Sequence, residues 1–179
     1  MSAGSSLMHA KLVTLALVVI LAGCASSADI KPGRVSGIDK RGYVKTTEGF
    51  AHVVRVGDAQ GAQGRCSEAK LWTETLEAVK NIRPNDWRIG KALVLLDANE
   101  RTGRIRAEDP RTFVGTTSYV GVFVQRLSED LRLIEVSAQW KNRMAATDNP
   151  WEDHLLAGIR SRLQECLVPP EQALIRLPQ

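Results

Sequence analysis

Residues 131–140 read Leu-Arg-Leu-Ile-Glu-Val-Ser-Ala-Gln-Trp, and from Ile134 onward apolar and other side chains alternate. Side chains two residues apart in a strand point to the same face of a sheet. The apolar set is Ile134, Val136, Ala138 and Trp140, and the polar set between them is Glu135, Ser137 and Gln139. This alternation is typical of an antiparallel sheet with one buried and one polar face. We predict a strand over Leu131–Trp140.

Three more strands of the same sheet are predicted upstream. They cover Lys91–Asp97, Arg104–Glu108 and Ser118–Gln125. The first is rich in aliphatic residues, and the other two place apolar residues at every second position. Polar or glycine-containing stretches at Asn99–Gly103 and Ser128–Asp130 predict turns between strands. Asp109-Pro110 is expected to end the second of the three strands, because proline cannot donate to a strand ladder.

Two helices are predicted, one on each side of these four strands in the chain. The first covers Ser67–Ile82, with Ser67 as its N-cap and Pro84 beyond its end. Its predicted apolar stripe consists of Ala69, Trp72, Leu76, Val79 and Ile82. The second has Asn149 as N-cap, Pro150 at the first helical position and Glu152 completing a capping box. Its apolar face consists of Leu155, Leu156, Ile159, Leu163 and Cys166, before Pro169 and Pro170 end the helix.

The order helix, four strands, helix predicts an α+β fold. Because the strands have one polar face, the helices can bury their stripes only on the other, which gives a two-layer sandwich with both helices on one face. We assign this core to residues 66–168. An N-terminal β segment, residues 34–58, precedes it with three short strands at Arg34–Ile38, Tyr43–Thr46 and Ala51–Val56. Residues 57–64 are interpreted as a loop and residues 169–179 as an extended C-terminal tail.

The start of the chain has the parts of a secretory signal peptide. Lys11 precedes a short apolar run, Leu12–Ile20, which is too short for the ~20 residues of a membrane-spanning helix. The tetrapeptide Leu21-Ala22-Gly23-Cys24 that follows resembles the lipobox of bacterial lipoproteins. This resemblance implies that residues 1–23 are removed, and that Cys24 then carries a diacylglyceryl thioether and an acylated amino group, with fatty acids such as palmitate.

The lipobox resemblance also implies a cellular location. Two or more acyl chains anchor a protein stably in a bilayer, so we expect membrane attachment through Cys24. Residues 24–33 are small and polar and end in Pro32-Gly33, and we interpret them as a flexible tether. An aspartate directly after the lipidated cysteine would resemble an inner-membrane retention signal. In this chain that position is Ala25. We therefore expect an outer-membrane anchor, with the domain on the periplasmic face.

The length and the net charge of the chain limit the kinds of partner that we expect. Removal of 23 of the 179 residues leaves 156, enough for one domain with a real core. The formal charge of +4 falls by one when Lys11 is removed. Such a small excess is typical of a solvated surface, and we predict no nucleic-acid partner. The partners that we expect are the membrane, through the lipid, and an envelope protein.

Cys66 and Cys166 are the cysteines that remain beside Cys24. An oxidising compartment permits a disulfide between them. With four strands that alternate in direction, the start of the first helix and the end of the second return to the same end of the sheet. Two interpretations stay open, a disulfide that closes a loop of ~100 residues and two buried free thiols.

Candidate catalytic and metal-binding groups are few. His52 lies in a predicted strand, and His154 lies beside Glu152 and Asp153 in the first turns of the second helix. Adjacent residues on a helix point apart and no His-x-x-x-His pattern occurs, so we predict no metal site. The sequence has no Gly-x-Ser-x-Gly elbow, no Cys-x-x-Cys pair and no phosphate-binding glycine loop. We therefore predict no catalytic residues, no cofactor and no enzyme activity.

Arginines and one tryptophan are the candidate binding residues. Four arginines crowd one hairpin and the loop after it, namely Arg101, Arg104, Arg106 and Arg111. They are typical either of a patch for lipid phosphate or an acidic partner, or of an ordinary solvated strand face. Trp72 and Trp140 fit the core by periodicity, and Trp151 is expected to pack as a lid over the start of the second helix. Trp87 fits no apolar stripe, so we group it with Arg104 and Arg106 as possible partner-binding residues.

Four short stretches carry a resemblance to small bacterial envelope lipoproteins. They are Arg104–Ala107, Val120–Val124, Ile134–Val136 and Asn149–Glu152. The order of elements is also similar to the helix-grip modules of the lipoprotein in the outer-membrane β-barrel assembly machine. The resemblance implies a non-enzymatic envelope accessory or scaffold that acts through protein contacts, and it transfers no functional residues. The alternative is a module that binds lipid or cell-wall fragments, which predicts an unfilled apolar pocket near Trp87 or Trp151.

Overall fold

Antiparallel pairing joins the strands into one mixed α/β fold in the computed structural model of this chain. The structure describes residues 30–57, 64–113, 116–140 and 149–175, without the side chains of 111–116 and 174. The predicted signal peptide, Cys24 and most of the loop 57–64 lie outside these ranges. The eight described strands are β1 (Val35–Ile38), β2 (Val44–Thr46), β3 (Phe50–Arg55), β4 (Val94–Asn99), β5 (Arg104–Phe113), β6 (Thr116–Arg126), β7 (Leu131–Trp140) and β8 (Leu167–Val168).

The sheet has the order β1-β2-β3-β7-β6-β5-β4, and β8 pairs with β3. The four strands β4 to β7 pair with their chain neighbours, as the antiparallel prediction requires. The N-terminal strands form no separate segment, because β3 pairs with β7 along its whole length, with His52 opposite Ile134. Two parts of the chain about 80 residues apart thus share one sheet, and pairing at that separation leaves no local sequence signal.

Strand boundaries follow the sequence pattern within two residues except in β4 and β5. The prediction for β4, Lys91–Asp97, is wrong at its start, because the strand covers Val94–Asn99. The predicted bounds of β7 are confirmed. The expected break at Asp109-Pro110 is wrong, because β5 continues to Phe113. The ladder to β6 shifts register between Asp109 and Phe113, and such an irregularity accommodates a residue without an N–H.

Three described helices are α1 (Glu68–Asn81), α2 (Pro150–Arg162) and α3 (Pro170–Ile175). Both predicted N-caps are confirmed: the Ser67 side chain accepts from the Lys70 N–H, and the Asn149 side chain accepts from the Trp151 N–H. The expected tail is wrong at α3, where residues 170–175 are helical. The expected end of α2 at Pro169-Pro170 is wrong, because α2 ends at Arg162 and a 3₁₀ turn, Gln164–Cys166, follows it. Pro170 instead takes the first position of α3, where its fixed φ is favourable.

Register divides the sheet into two faces, which we name after adjacent residues of β7. The Ile134 face carries side chains that belong to the larger apolar core, including Val54, Ile105, Val122 and Val136. Residues of α1 and α2 belong to the same core, and the largest of them is Trp151, which is fully buried. The expectation that Trp151 forms a lid is therefore wrong, since the indole lies inside the core.

The apolar stripe of α1 differs from the predicted one. Its buried residues are Leu71, Thr75, Ala78 and Val79, whereas Ala69 is exposed. The hydroxyl of Thr75 donates to the Leu71 carbonyl oxygen at 2.7 Å, and a satisfied hydroxyl can be buried at little cost. A polar residue type thus occupies a core position, which periodicity of apolar residues alone does not detect.

The Glu135 face is not simply polar, contrary to the expectation. At the β2–β3–β7 end it carries a second apolar cluster, formed by Val44, Ala51, Val53, Leu131, Leu133, Val168 and Ala173. Ala173 belongs to α3, which contacts β1 and β3. Further along the same face, Glu135 and Ser137 are fully buried. The C-terminal helix and the N-terminal strands together remove this part of the face from solvent.

A disulfide joins Cys66, just before α1, to Cys166, in the short 3₁₀ turn after α2. The two Cα atoms are 5.6 Å apart, within the normal range for a disulfide. Both cysteines are buried in the larger core. The bond closes a loop with a sequence separation of 100 residues, so it restricts the unfolded chain strongly.

We expect the double substitution Cys66→Ala/Cys166→Ala to lower the free energy of unfolding by up to about 4.7 kcal/mol, the chain-entropy value for such a loop. Urea denaturation of the oxidised wild type and the variant measures the difference. Reduced wild type is the control and should resemble the variant. Equal unfolding free energies for the oxidised wild type and the variant would contradict the prediction.

Candidate interaction surfaces

Trp87 lies on the connection between α1 and β4, residues 82–93, which hydrogen bonds hold at several points. Its own side chain is 72% exposed. On one side the Asp86 carboxylate accepts from the Arg88 backbone and guanidinium, at 2.6 Å from Nη2, and this guanidinium holds the pKa of Asp86 well below its usual range. On the other side the Gly90 N–H donates to Asp109 Oδ2 at 2.6 Å. Trp87 is therefore an exposed indole on an ordered support, unlike a side chain on a loose loop.

Asp109 connects this support to the core. Its Oδ2 atom also accepts from the indole N–H of Trp151 at 3.1 Å. A Cβ on Gly90 would lie 2.2 Å from Asp109 Oδ1, so only glycine fits at this close approach. His154 Nε2 lies 3.5 Å from Asp86 Oδ2, which adds a contact from α2. Loop, sheet and helix thus meet at two buried or half-buried carboxylates.

The edge strand β4 exposes consecutive apolar side chains. Val94, Leu95 and Leu96 are 47%, 38% and 44% exposed. β4 is the last strand in the sheet order, so one of its edges has no neighbouring strand among the described residues. Exposed apolar edge strands promote pairing with another chain unless something covers them. The connection that carries Trp87 leads directly into this strand.

Arg104 and Arg106 lie on the Glu135 face of β5, where Arg104 pairs with Phe123 and Arg106 with Gly121 of β6. Arg104 donates to Asp97 Oδ2 at 3.0 Å, in a half-exposed ion pair. Arg106 forms no ion pair with another described residue. In both residues the Nε atom is buried and has no hydrogen-bond partner within the described part of the chain. The structure places these two arginines together. Arg101 lies in the exposed turn before β5, and the side chain of Arg111 is outside the described part.

Glu135 is a buried carboxylate that sequence reasoning assigned to a solvent-facing set. Its Oε1 accepts from the Thr46 hydroxyl at 2.6 Å, and its Oε2 accepts from the Gln125 amide at 2.8 Å. Both oxygens accept from the Gly33 N–H, at 3.0 and 2.8 Å. Burial is the largest effect on this group and raises the pKa of Glu135, against the hydrogen bonds, which lower it.

The contact between Gly33 and Glu135 shows that the last residues of the predicted tether pack on the domain. Ile30 is buried, and a Cβ on Gly121 of β6 would lie 3.0 Å from its Cγ2 atom. A Cβ on Gly33 would lie 2.9 Å from Glu135 Oε1 and 2.7 Å from the Glu48 nitrogen. Residues 30–33, which we call the arm, therefore pack on the Glu135 face. The expected flexibility is wrong for the arm. Residues 24–29 lie outside the described part.

A raised pKa makes the contribution of Glu135 to stability depend on pH. A carboxyl whose pKa is higher in the folded than in the unfolded state stabilises the fold below its ordinary value of 4.5, and this contribution is lost as pH rises through the folded value. We expect the unfolding free energy of the wild type, relative to Glu135→Gln, to fall as pH rises above about 4.5 and then to level.

Denaturant titrations of the wild type and Glu135→Gln from about pH 4 to pH 8 measure this difference. Glu129→Gln, a substitution of an exposed glutamate in the turn before β7, is the matched control and should follow the wild type. A difference between the wild type and Glu135→Gln that is constant, or that grows with pH, would contradict the raised pKa.

The two histidines in the described ranges, His52 and His154, both contact other parts of the fold. His52 Nε2 lies 3.0 Å from the Leu156 carbonyl oxygen of α2, and burial lowers the pKa of His52, which favours the neutral ring. His154 lies beside Asp86, as described above. Among the described residues, no group of three or more histidine, cysteine or acidic side chains lies close enough to hold a metal ion.

Three surface clefts lie among the described residues, and charged side chains make up about half or more of the lining of the first two. Two of them, of about 550 and 350 Å³, share Glu68 and Arg132, which form an ion pair. A third, of about 330 Å³, lies between β3 and the end of α2 and contains His52 and Arg160. None of these three is lined by Trp87 or Trp151. None of them combines a serine or cysteine with a histidine.

Comparisons with protein-family models, with curated proteins and with solved structures found no match. In the part of the chain that the structure describes, no helix has the length and apolar character needed to cross a membrane.

Proposed function

We propose that this chain is a lipid-anchored periplasmic protein of the outer membrane that acts as a non-enzymatic accessory or scaffold through protein contacts. The lipobox-like tetrapeptide that ends at Cys24 supports the anchor. The exposed indole of Trp87 and the apolar edge of β4 support the protein contact. Apolar surface of this kind on a secreted domain marks an interaction site when it is contiguous and ordered.

We further propose that the domain is a two-layer sandwich with α1 and α2 together on the Ile134 face. The support is the composition of the larger core, which contains Leu71 and Val79 of α1, Leu155 and Ile159 of α2, and the apolar residues of that one face. In this arrangement the helices leave the β5 part of the Glu135 face, where Arg104 and Arg106 are half-exposed, and the open edge of β4 available to other molecules.

The single observation that carries the protein-contact proposal is the fixed support of an exposed Trp87. Ordering a side chain on binding costs free energy, and a residue that is already held avoids part of that cost. Tryptophan is among the residues most enriched at the energetic centres of interfaces. The neighbouring edge of β4 offers backbone donors and acceptors to an added strand. We infer a partner that contributes an extended segment to β4 and covers Trp87.

The alternative, a module that binds lipid or cell-wall fragments, requires an unfilled apolar pocket near Trp87 or Trp151. Trp151 is fully buried, and the three clefts described above lie elsewhere. None of the three clefts among the described residues therefore supports that alternative.

The anchor is tested by Cys24→Ala in the full chain expressed in a two-membrane bacterium. We expect the wild type in the membrane fraction, with a processed mass that includes the acyl groups. We expect the variant to be absent from the membrane fraction and to carry no acyl groups. Ser26→Ala, two residues further on, is the control and should behave as the wild type. Unchanged fractionation and unchanged processed mass for Cys24→Ala would overturn the anchor.

The protein contact is tested by crosslinking in cells and mass spectrometry of the captured proteins. We expect Trp87→Ala to weaken capture of the wild-type partner by about 30-fold or more, since truncated hot-spot residues cost about 2 kcal/mol or more. Val94→Lys, at the β4 edge, should have a similar effect. Ile175→Ala removes an exposed apolar side chain on α3 and is the control. Unchanged capture by both Trp87→Ala and Val94→Lys would contradict the proposal.

A further inference from the structure

The arm crosses the Glu135 face in a fixed direction. Gly33 is bound to Glu135 on β7, and Ile30 packs against Gly121 on β6. Going toward the N-terminus, the chain therefore passes from β7 to β6, and the next strand in the sheet order is β5. Arg106 on β5 is the direct partner of Gly121. The described chain thus ends beside the strand that carries Arg104 and Arg106.

The remaining distance to Cys24 is short. Cys24 is six residue steps from Ile30, and an extended chain spans at most ~3.6 Å per step, so the cysteine lies within roughly 22 Å of Ile30. Neighbouring strands are ~4.8 Å apart, which places the two arginines well inside this radius. A lipid on Cys24 can therefore reach the arginines on the Glu135 face of β5.

We propose that the β5 part of the Glu135 face, where Arg104 and Arg106 are half-exposed, lies against the anionic phospholipid headgroups of the membrane in which Cys24 is anchored. The inference rests on the proposed lipidation of Cys24. Arg106 forms no ion pair with another described residue, and a guanidinium presents a donor fork that matches phosphate oxygens. Arg104 shares its guanidinium between Asp97 and the headgroup layer.

The charges on this surface fit a role in orientation more than in attachment. Four cationic residues lie in or beside the arm and on β5, namely Lys31, Arg34, Arg104 and Arg106, and three acidic residues lie in the neighbouring stretches, namely Glu48, Asp97 and Glu108. So small an excess attaches a free domain weakly. The acyl chains supply the attachment, and the arginines then decide which side of the tethered domain meets the headgroups.

Fluorescent labels on single added cysteines measure the orientation. We would attach one to Tyr119→Cys, on the Glu135 face of β6, and one to Thr73→Cys, on the exposed side of α1. The lipidated full chain is reconstituted in vesicles of phosphatidylethanolamine and phosphatidylglycerol with nitroxide-labelled headgroups. Cys66 and Cys166 are buried in a disulfide, so labelling is confined to the added thiol. We expect strong quenching at Tyr119→Cys and weak quenching at Thr73→Cys.

Charge reversal then tests the role of the arginines. Each basic residue near an anionic leaflet favours the bound orientation by about fivefold, so Arg104→Glu/Arg106→Glu should shift the orientation equilibrium more than about tenfold and remove the difference between the two labels. Arg83→Glu, on the connection after α1, is the matched control and should leave the difference unchanged. Circular dichroism of each variant excludes misfolding as the cause.

The outcomes separate this inference from the proposal on which it rests. Vesicle-bound protein with equal quenching at both labels overturns the orientation and leaves the lipid anchor in place. Protein that carries no acyl group and does not associate with vesicles overturns both. An unchanged difference in Arg104→Glu/Arg106→Glu, together with loss of a captured envelope protein by that variant, assigns the arginines to a protein partner and also overturns the inference.

Discussion

The pairing of β3 with β7 is the interaction on which most of the structure depends. Without it, β7 would be an edge strand, and the sheet would end where the N-terminal and C-terminal parts of the chain now meet. With it, His52 lies opposite Ile134, and Val53 lies opposite Leu133, so both faces of β7 become buried at this end of the sheet. The second apolar cluster, the short strand β8 and the position of α3 all follow from this pairing.

The pairing of β3 with β7 buries the carboxylate of Glu135, which is unfavourable, and hydrogen bonds to Glu135 offset part of this unfavourable free energy. A carboxylate removed from water is unfavourable unless donors surround it. Its donors come from three separate places, Gly33 of the arm, Thr46 of β2 and Gln125 of β6. Because β2 and the arm reach Glu135 only when β3 lies beside β7, the carboxylate links the position of the arm to the assembly of the sheet. The raised pKa of Glu135 reflects the part of the burial cost that the donors do not offset.

The limits of sequence-based prediction follow from the same residues. Local signals were sufficient for β7, for the caps at Ser67 and Asn149, and for the antiparallel order of β4 to β7. The pairing of β3 with β7 has no local signal, so the alternation in β7 was interpreted as a polar, solvent-facing side. The sequence does not predict the burial of Glu135 for this reason. It does not predict the burial of Asp109 because its donors, the Gly90 N–H and the Trp151 indole, come from two other segments of the chain. Trp87 was singled out because it fitted no apolar stripe, and its exposure agrees with that observation.

The two proposed surfaces have a fixed relation within one sheet. Interstrand hydrogen bonds lie in the plane of a sheet, so the open edge of β4 points sideways relative to the Glu135 face. If the β5 part of that face lies against headgroups, as proposed, the open edge of β4 points along the membrane rather than away from it. A partner that adds a strand to β4 would then approach in the plane of the bilayer. This geometry favours a partner that is itself attached to or embedded in the same membrane, because such a partner meets the edge in the correct orientation without first losing rotational freedom.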